Sequence, residues 1–302
     1  MTDGALHTSL HCRTWAVVFV LITLALLAGG YGYYRAEAAR IRQEKYQDIA
    51  AISELKISQI LQWRKERLAD ARRSAASPFF QRALAEWRKT PNASGLRADW
   101  RKRLRLEQEA YGYADVLLLD LDGNILLTAS DNPDPMDPAT QRAVAAALAS
   151  RDTVFSDFYR SSHGHVYLDT VVAVPDAEER PLTLLILRNN ATSYLYPLIQ
   201  SWPTSSRSAE TLLVQREGDA VVFLNELRHQ ANTALSLHTP LARNDIPAVQ
   251  AVLGRQGFFP GRDYRDVEVL ADLHPVPGSP WFLVAKVDAN EIPGRSALPM
   301  RR

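Results

Sequence analysis

ADVLLLDLDGNILLTAS, residues 114–130, is the stretch whose reading decides the fold. Two apolar runs, Ala114–Leu121 and Ile125–Ser130, flank Asp122-Gly123-Asn124, and a polar, Gly-containing break between two such runs is a strong hairpin signal. Downstream, the Pro-rich segment 131–138 (DNPDPMDP) can cap a helix over Ala139–Ser150. Three more strands are expected at Val154–Tyr159, Val166–Val174 and Leu182–Arg188. One antiparallel sheet with helices before and within it makes an α+β module.

Upstream, the chain from Arg35 to about Ala76 contains no Pro or Gly, and Ile49, Ile52, Ile60 and Trp63 fall on one side at 100° per residue. Ile57, Leu61 and Leu68 widen that stripe. About 40 helical residues make a rod of roughly 60 Å, too long for one small domain to cover, so a spine that also meets its twin in a homodimer is expected. Ser77-Pro78 ends the rod; helices over Pro78–Lys89 and Leu96–Ala110 follow, separated by a turn at Pro91–Gly95.

A second, smaller copy of the order comes after a connecting helix at Thr192–Gln200. Glu210–Gln215 and Ala220–Asn225 flank Glu217-Gly218-Asp219, another hairpin. A helix near Ile246–Leu253, an extended stretch Gly257–Arg265 and a hairpin of Val267–His274 with Trp281–Val287 complete it. The repeated order predicts a tandem of related modules.

Residues 15–34 form one apolar segment bracketed by Trp15 and by Tyr31, Tyr33 and Tyr34, with no charge over Ala16–Ala28. About 20 residues cross a ~30 Å hydrocarbon core. We expect a membrane anchor, the alternative being a signal peptide cleaved near Ala28-Gly29-Gly30. Residues 1–14 are then a cytoplasmic N-terminus, and the bulk of the chain is exported. The only cysteine, Cys12, precedes the segment, so the exported part has no thiolate chemistry, disulfide or Cys-based zinc site. The net charge of +1 hides an asymmetry: residues 35–110 carry 18 Lys and Arg against 10 Asp and Glu, residues 111–302 carry 16 against 23. A solvated helix face with Arg stems over apolar neighbours explains the basic half, and no nucleic-acid partner is expected.

Five blocks carry a family resemblance: Lys56–Leu68 (KISQILQWRKERL), Tyr113–Asn124 (YADVLLLDLDGN), Tyr194–Trp202 (YLYPLIQSW), Ala209–His229 (AETLLVQREGDAVVFLNELRH) and Pro277–Asp288 (PGSPWFLVAKVD). On them, from about Arg35 to Ile292, the chain resembles the extracytoplasmic double-Cache, PAS-like sensor region of bacterial sensor histidine kinases and diguanylate cyclases. The resemblance implies a helical spine (35–110), a membrane-distal Cache module (111–191) and a membrane-proximal Cache module (192–292). It also implies a bacterial inner-membrane location with the bulk periplasmic, and small-molecule sensing without a catalytic domain of its own. Such proteins continue into a second membrane helix and an output domain. Here the irregular tail 293–302 (PGRSALPMRR) departs from that pattern, which predicts a truncated relative or one that works with a partner. The alternatives are a truncated, non-signalling dimerisation protein and, more distantly, an exported hydrolase.

No nucleophile-elbow, P-loop or His-Glu-x-x-His motif occurs, so catalysis has no sequence mark. Asp120–Asn124 has the look of a calcium loop but lacks its later ligands, and reads as a hairpin turn. His163-Gly164-His165, near Asp157 and Asp169, has metal-ligand chemistry, yet the Gly indicates a loop; no metal or cofactor is expected. The favoured ligand site gathers Tyr159, Arg160, His165, Tyr167 and Asp169, walled by Tyr111 and Tyr113 at the entry to the first strand. Tyr rings offer apolar walls with a polar tip, Arg160 can clamp a carboxylate and Asp169 can accept an ammonium, so an anionic or zwitterionic small molecule is expected. The resemblance places ligands on that face of the sheet. The Arg-x-Trp-Tyr motif of some amino-acid-sensing relatives is absent, Asp99-Trp100-Arg101 having the wrong spacing, so an amino acid is only one option. Alternatively, the aromatics are ordinary core and Arg160 pairs with Asp157. In the second module, Asn225–His229 (NELRH) braces a turn or forms a second small-ligand site.

Overall fold

The computed structural model describes residues 4–89 and 95–292. The tail 293–302, residues 91–94 of the expected turn and the first three residues of the N-terminus lie outside them.

Helix α1 runs without interruption over Gly4–Ala75, 72 residues or roughly 110 Å. Its N-terminal part carries the one stretch among the described residues that is long and apolar enough to cross a membrane. Phe19, Leu26 and Leu27 there are all well exposed. Beyond Tyr34 the expected stripe is buried in order along the rod. Ile49 packs with Leu270, Val287 and Ile292 of the second module. Ile60 and Trp63 pack where both modules meet. Ala71 and Ala75 pack under the first module. The rod ends at Ala75 because Pro78 forbids continuation, and α2 (Pro78–Lys89) and α3 (Leu96–Tyr111) fold back over it.

The first sheet holds β1 (Asp115–Leu119), β2 (Ile125–Thr128), β3 (Val154–Phe155), β4 (Tyr159–Arg160), β5 (Val166–Pro175) and β6 (Pro181–Asn190). Their order is β2-β1-β6-β5-β3, with β4 also on β5, all antiparallel. One face meets α1–α3 through Val116, Leu118, Leu185 and Leu187. The other face meets α4 (Pro138–Ser150) through Leu117, Val171, Leu184 and Ile186. Asp137 caps α4 by accepting the Ala139 N–H at 2.7 Å, with Pro138 opening the helix.

The Asp120–Asn124 segment is the expected hairpin turn: the Asp120 carboxylate accepts the Asp122 and Asn124 N–H groups, and Gly123 takes φ +87°. The single strand expected at Val154–Tyr159 is broken instead. Ser156 Oγ accepts the Asp169 N–H at 2.9 Å and donates to the Asp157 carbonyl at 2.8 Å. A side chain thus takes a ladder bond, and two short strands result.

After α5 (Leu195–Gln200), the second sheet holds β7 (Glu210–Glu217), β8 (Ala220–Phe223), β9 (His238–Pro240), β10 (Gly257–Arg262), β11 (Glu268–Pro275) and β12 (Trp281–Asp288), with α6 (Pro247–Val252) on one face. Its order, β10-β11-β12-β7-β8-β9, repeats that of the first sheet: β7 takes the place of β1, β12 of β6 and β11 of β5. The tandem is therefore a repeat in topology. Only β9, three residues without an apolar pattern, had no sequence signal.

Candidate functional site

Alternation along β5 and β6 puts Tyr167, Asp169 and Val171, and Leu184, Ile186 and Arg188, on the α4 face. Register sets Arg188 beside Asp169 on one neighbour and Asp115 on the other. At that corner the sheet carries a charged group with no contact to bulk water. Asp169 is 0% exposed and Arg188 1%. Arg188 donates through Nε to Asp169 Oδ1 at 3.1 Å and through Nη2 to Oδ2 at 3.3 Å. Asp169 Oδ2 also accepts from the Thr140 hydroxyl of α4 at 2.6 Å and from the Tyr159 hydroxyl at 2.8 Å. The Arg188 guanidinium lies over the Tyr159 and Tyr167 rings, 5.8 and 5.3 Å from their centroids.

Burial works against the Arg188 charge, but Asp169, Tyr159 and Asp115 more than offset it, and its pKa is raised. Burial, reinforced by the Asp169 charge, pushes the Tyr159 hydroxyl up, so it stays a donor; Tyr167 is pushed up to about 12, chiefly by burial and then by Asp134. Asp115 accepts from the Thr128 hydroxyl at 2.6 Å and from the Val116 and Ser130 N–H groups at 2.8 and 3.0 Å.

The loop preceding α4 closes this corner. Arg188 Nη1 reaches the Asp134 carbonyl at 3.4 Å, and the Asp134 carboxylate meets His163 Nδ1 at 2.7 Å. Burial opposes the Asp134 charge, yet Tyr167, His163 and two serines hold its pKa low. His163 lies in a turn with Gly164 at φ +86°, so the two histidines do not alternate on a strand. Among the described residues no three His, Cys, Asp or Glu side chains converge as metal ligands.

Of the residues singled out in the sequence, Tyr159, Tyr167 and Asp169 come together here, with the exposed His165 ring 5.8 Å from that of Tyr167. The other three do not. Arg160 is one residue beyond Tyr159 and lies on the opposite side of β4. It donates to the Gly164 carbonyl at 3.0 Å and, across to the second module, to the Ala234 carbonyl at 2.6 Å. Its alternative partner, Asp157, pairs instead with Arg142 of α4 at 3.0 Å. Tyr113 is on the spine side, donating to Asp70 at 3.1 Å under the Arg67 guanidinium, and the half-exposed Tyr111 packs under Arg73. The cation facing Asp169 is therefore Arg188. Its only sequence signal was an arginine ending an otherwise apolar strand, LTLLILR (182–188).

In the second module, Asn225 braces its turn: it is fully buried, its Oδ1 accepts the Leu213 N–H at 2.7 Å and its amide donates to the Glu226 carbonyl at 2.9 Å. Glu226 accepts the Thr233 N–H at 2.9 Å.

By sequence, no protein-family model matches the chain and no curated protein matches it. By structure it is similar to bacterial chemoreceptor domains. The ligand-binding domain of the Campylobacter jejuni chemoreceptor Tlp3 in complex with 4-methylisoleucine superposes with a TM-score of 0.62 at 13% identity, over 85% of this chain and 96% of that one. The ligand-binding domain of the Pseudomonas aeruginosa amino acid chemoreceptor PctB in complex with L-Arg gives 0.58 at 15%, over 84% and 100%. That of Pseudomonas fluorescens CtaA in complex with L-serine gives 0.57 at 14%, over 82% and 99%. The architecture is thus the Cache type, a long N-terminal helix followed by PAS-like antiparallel modules. The solved neighbours are chemoreceptor domains and do not single out sensors of kinases or cyclases.

Proposed function

We propose that the chain is an extracytoplasmic sensory domain, anchored in a bacterial cell membrane through α1, that binds a small zwitterion on the α4 face of its first module. The observation that carries this is the Arg188–Asp169 pair, only 1% and 0% exposed under a loop. A buried ion pair does little for stability, because desolvation consumes most of its Coulomb energy. As a receptor for a molecule with a carboxylate and an ammonium, the pair has a purpose: each group holds the other until the ligand offers both complements. Tyr159, Tyr167 and Thr140 then supply walls and hydroxyls around it. That the solved neighbours named above hold amino acids supports this ligand class.

The exposed groove of α1 lined by Ile57, Leu61, Glu54 and Lys65, beside the exposed Leu55, suits a second copy of the chain. Ligand binding then biases the arrangement of the paired spines, by no more than its differential affinity for the two arrangements. The sequence blocks that resemble kinase and cyclase sensors favour those outputs, and the site is the same whichever is used.

The test is calorimetry on the full chain in lipid nanodiscs, titrating L-amino acids alongside their deaminated acids. A zwitterion should bind, and Asp169→Asn should weaken it by about 10- to 150-fold, the worth of a charge-assisted hydrogen bond. Equal affinity for an amino acid and its deaminated acid, or for wild type and Asp169→Asn, overturns the reading. A reporter fused after Arg302 should be active only outside the cytoplasm.

A further inference from the structure

The register of the two sheets reveals a repeated charge. Arg188 stands opposite Asp115, and in the second sheet Lys286 stands opposite Glu210, at the same position of the equivalent strands and on the face that carries α6. Both cations are buried, 1% and 0% exposed, and both lie by tyrosine rings, Lys286 Nζ being 5.0 Å from the Tyr264 centroid. Lys286 contacts Glu210 at 2.9 Å and Asp263 at 2.7 Å. One partner differs. The residue across from Arg188 on β5 is Asp169, but the residue across from Lys286 on β11 is Ala271.

The carboxylates that remain in the second module are occupied. Glu210 takes Lys286, the Tyr264 hydroxyl at 3.0 Å and the Arg228 N–H at 2.6 Å. Asp263 takes Lys286 and Arg265, and Arg265 also pairs with Asp288. None of these three carboxylates stands ready for an ammonium.

Glu210 itself lines an open cavity of about 520 Å³ in the second module, in the size range of small-molecule sites, its carboxylate neutralised by the buried Lys286. Trp202, Leu227 and Ala209 give it apolar wall, Thr204 and Ser205 give hydroxyls, and Arg228 is the one cation among the described residues that line it. Backbone carbonyls of Ala209 and Ser206 take two of the five guanidinium donors of this exposed arginine. We propose that this cavity binds a small organic anion with an apolar body and no ammonium group, its carboxylate on Arg228 and its body against Trp202. The ligand class thus differs from that of the first module, and the inference rests on that earlier reading only in treating the two modules as copies.

The position also links the site to the spine. Trp202 and residues 204–206 divide this cavity from a second one of about 580 Å³, whose far wall is Lys45, Asp48, Ile49 and Ile52 of α1. A ligand that moves the 202–206 segment therefore acts on the membrane-side end of the rod.

The probes are 3-phenylpropanoate and L-phenylalanine, which share a body and differ by the ammonium. Calorimetry on the full chain in nanodiscs should show 3-phenylpropanoate binding, weakened at least about tenfold by Arg228→Gln and less by Arg228→Lys, which keeps the charge. Circular dichroism of each variant confirms the fold. Absence of 3-phenylpropanoate binding at millimolar concentration, or equal affinity in wild type and Arg228→Gln, overturns the proposal. The comparison of an amino acid with its deaminated acid is made in the Arg228→Gln chain, which lacks this site, and 3-phenylpropanoate binding must persist in Asp169→Asn, so the two site assignments fail independently.

Discussion

Replacing Asp169 by Asn tests the buried pair without changing shape. The amide oxygen can still accept from Thr140 and Tyr159, which now donate at 2.6 and 2.8 Å, so the packing is kept and the charge is lost. Arg188, 1% exposed, then keeps its 3.3 Å bond to that oxygen and the Asp134 carbonyl but loses the negative charge it faces, leaving only the more distant attraction of Asp115. Breaking a buried pair by removing one partner costs about 3–5 kcal/mol. For a folded part of this size each kcal/mol moves the midpoint by roughly 2–4 °C, so Tm should fall by roughly 6–20 °C. Adding Arg188→Met removes the stranded charge, and the double variant should regain most of the loss, because two apolar or neutral groups at this site avoid the desolvation cost. Thermal unfolding of the full chain followed by circular dichroism reads both. An Asp169→Asn midpoint within about 1 °C of wild type, or a double variant no more stable than the single one, would refute a buried, mutually dependent pair.

Three further outcomes are expected. Ile60→Asp puts an unpaired carboxylate at a fully buried position between the modules, which typically costs a few kcal/mol, and light scattering with a melting curve should show a lower Tm. Arg160→Ala removes two bonds to backbone carbonyls, one spanning the modules, so it should lower Tm by the equivalent of about 1–3 kcal/mol while zwitterion affinity in calorimetry stays the same. His274 has its pKa raised, first by its hydrogen bond to the buried Asp272, above the ordinary value of 6.5. A raised folded-state pKa contributes stability in full below pH 6.5 and loses it as pH rises through the folded value. Wild type should therefore melt above His274→Gln at pH 5.5, with the gap closed by pH 9.

The sequence by itself determined the parts whose cause is local. A run free of Pro and Gly with one apolar stripe can only be a rod, and Ile49, Ile52, Ile60 and Trp63 are buried because helical spacing puts them on one side. Gly123 at φ +87° and the Asp120 bonds make the first hairpin from five consecutive residues. The order of elements, read twice, predicted the tandem. What tertiary structure alone decided is which groups face each other. Arg188 and Asp169 are 19 residues apart, and their meeting depends on the register of the β5–β6 hairpin, which shifts at Val174/Pro175, an irregularity that no sequence pattern marked. Tyr111 and Tyr113 looked like pocket walls because they precede β1, but the turn out of α3 sends them to the spine side. Arg160 sits next to Tyr159 in the chain, yet alternation turns it to the opposite face and into a bond with Ala234, 74 residues away. Local conformation follows from short-range sterics and periodicity, whereas a charge finds its partner only after strand pairing has set the register of the sheet.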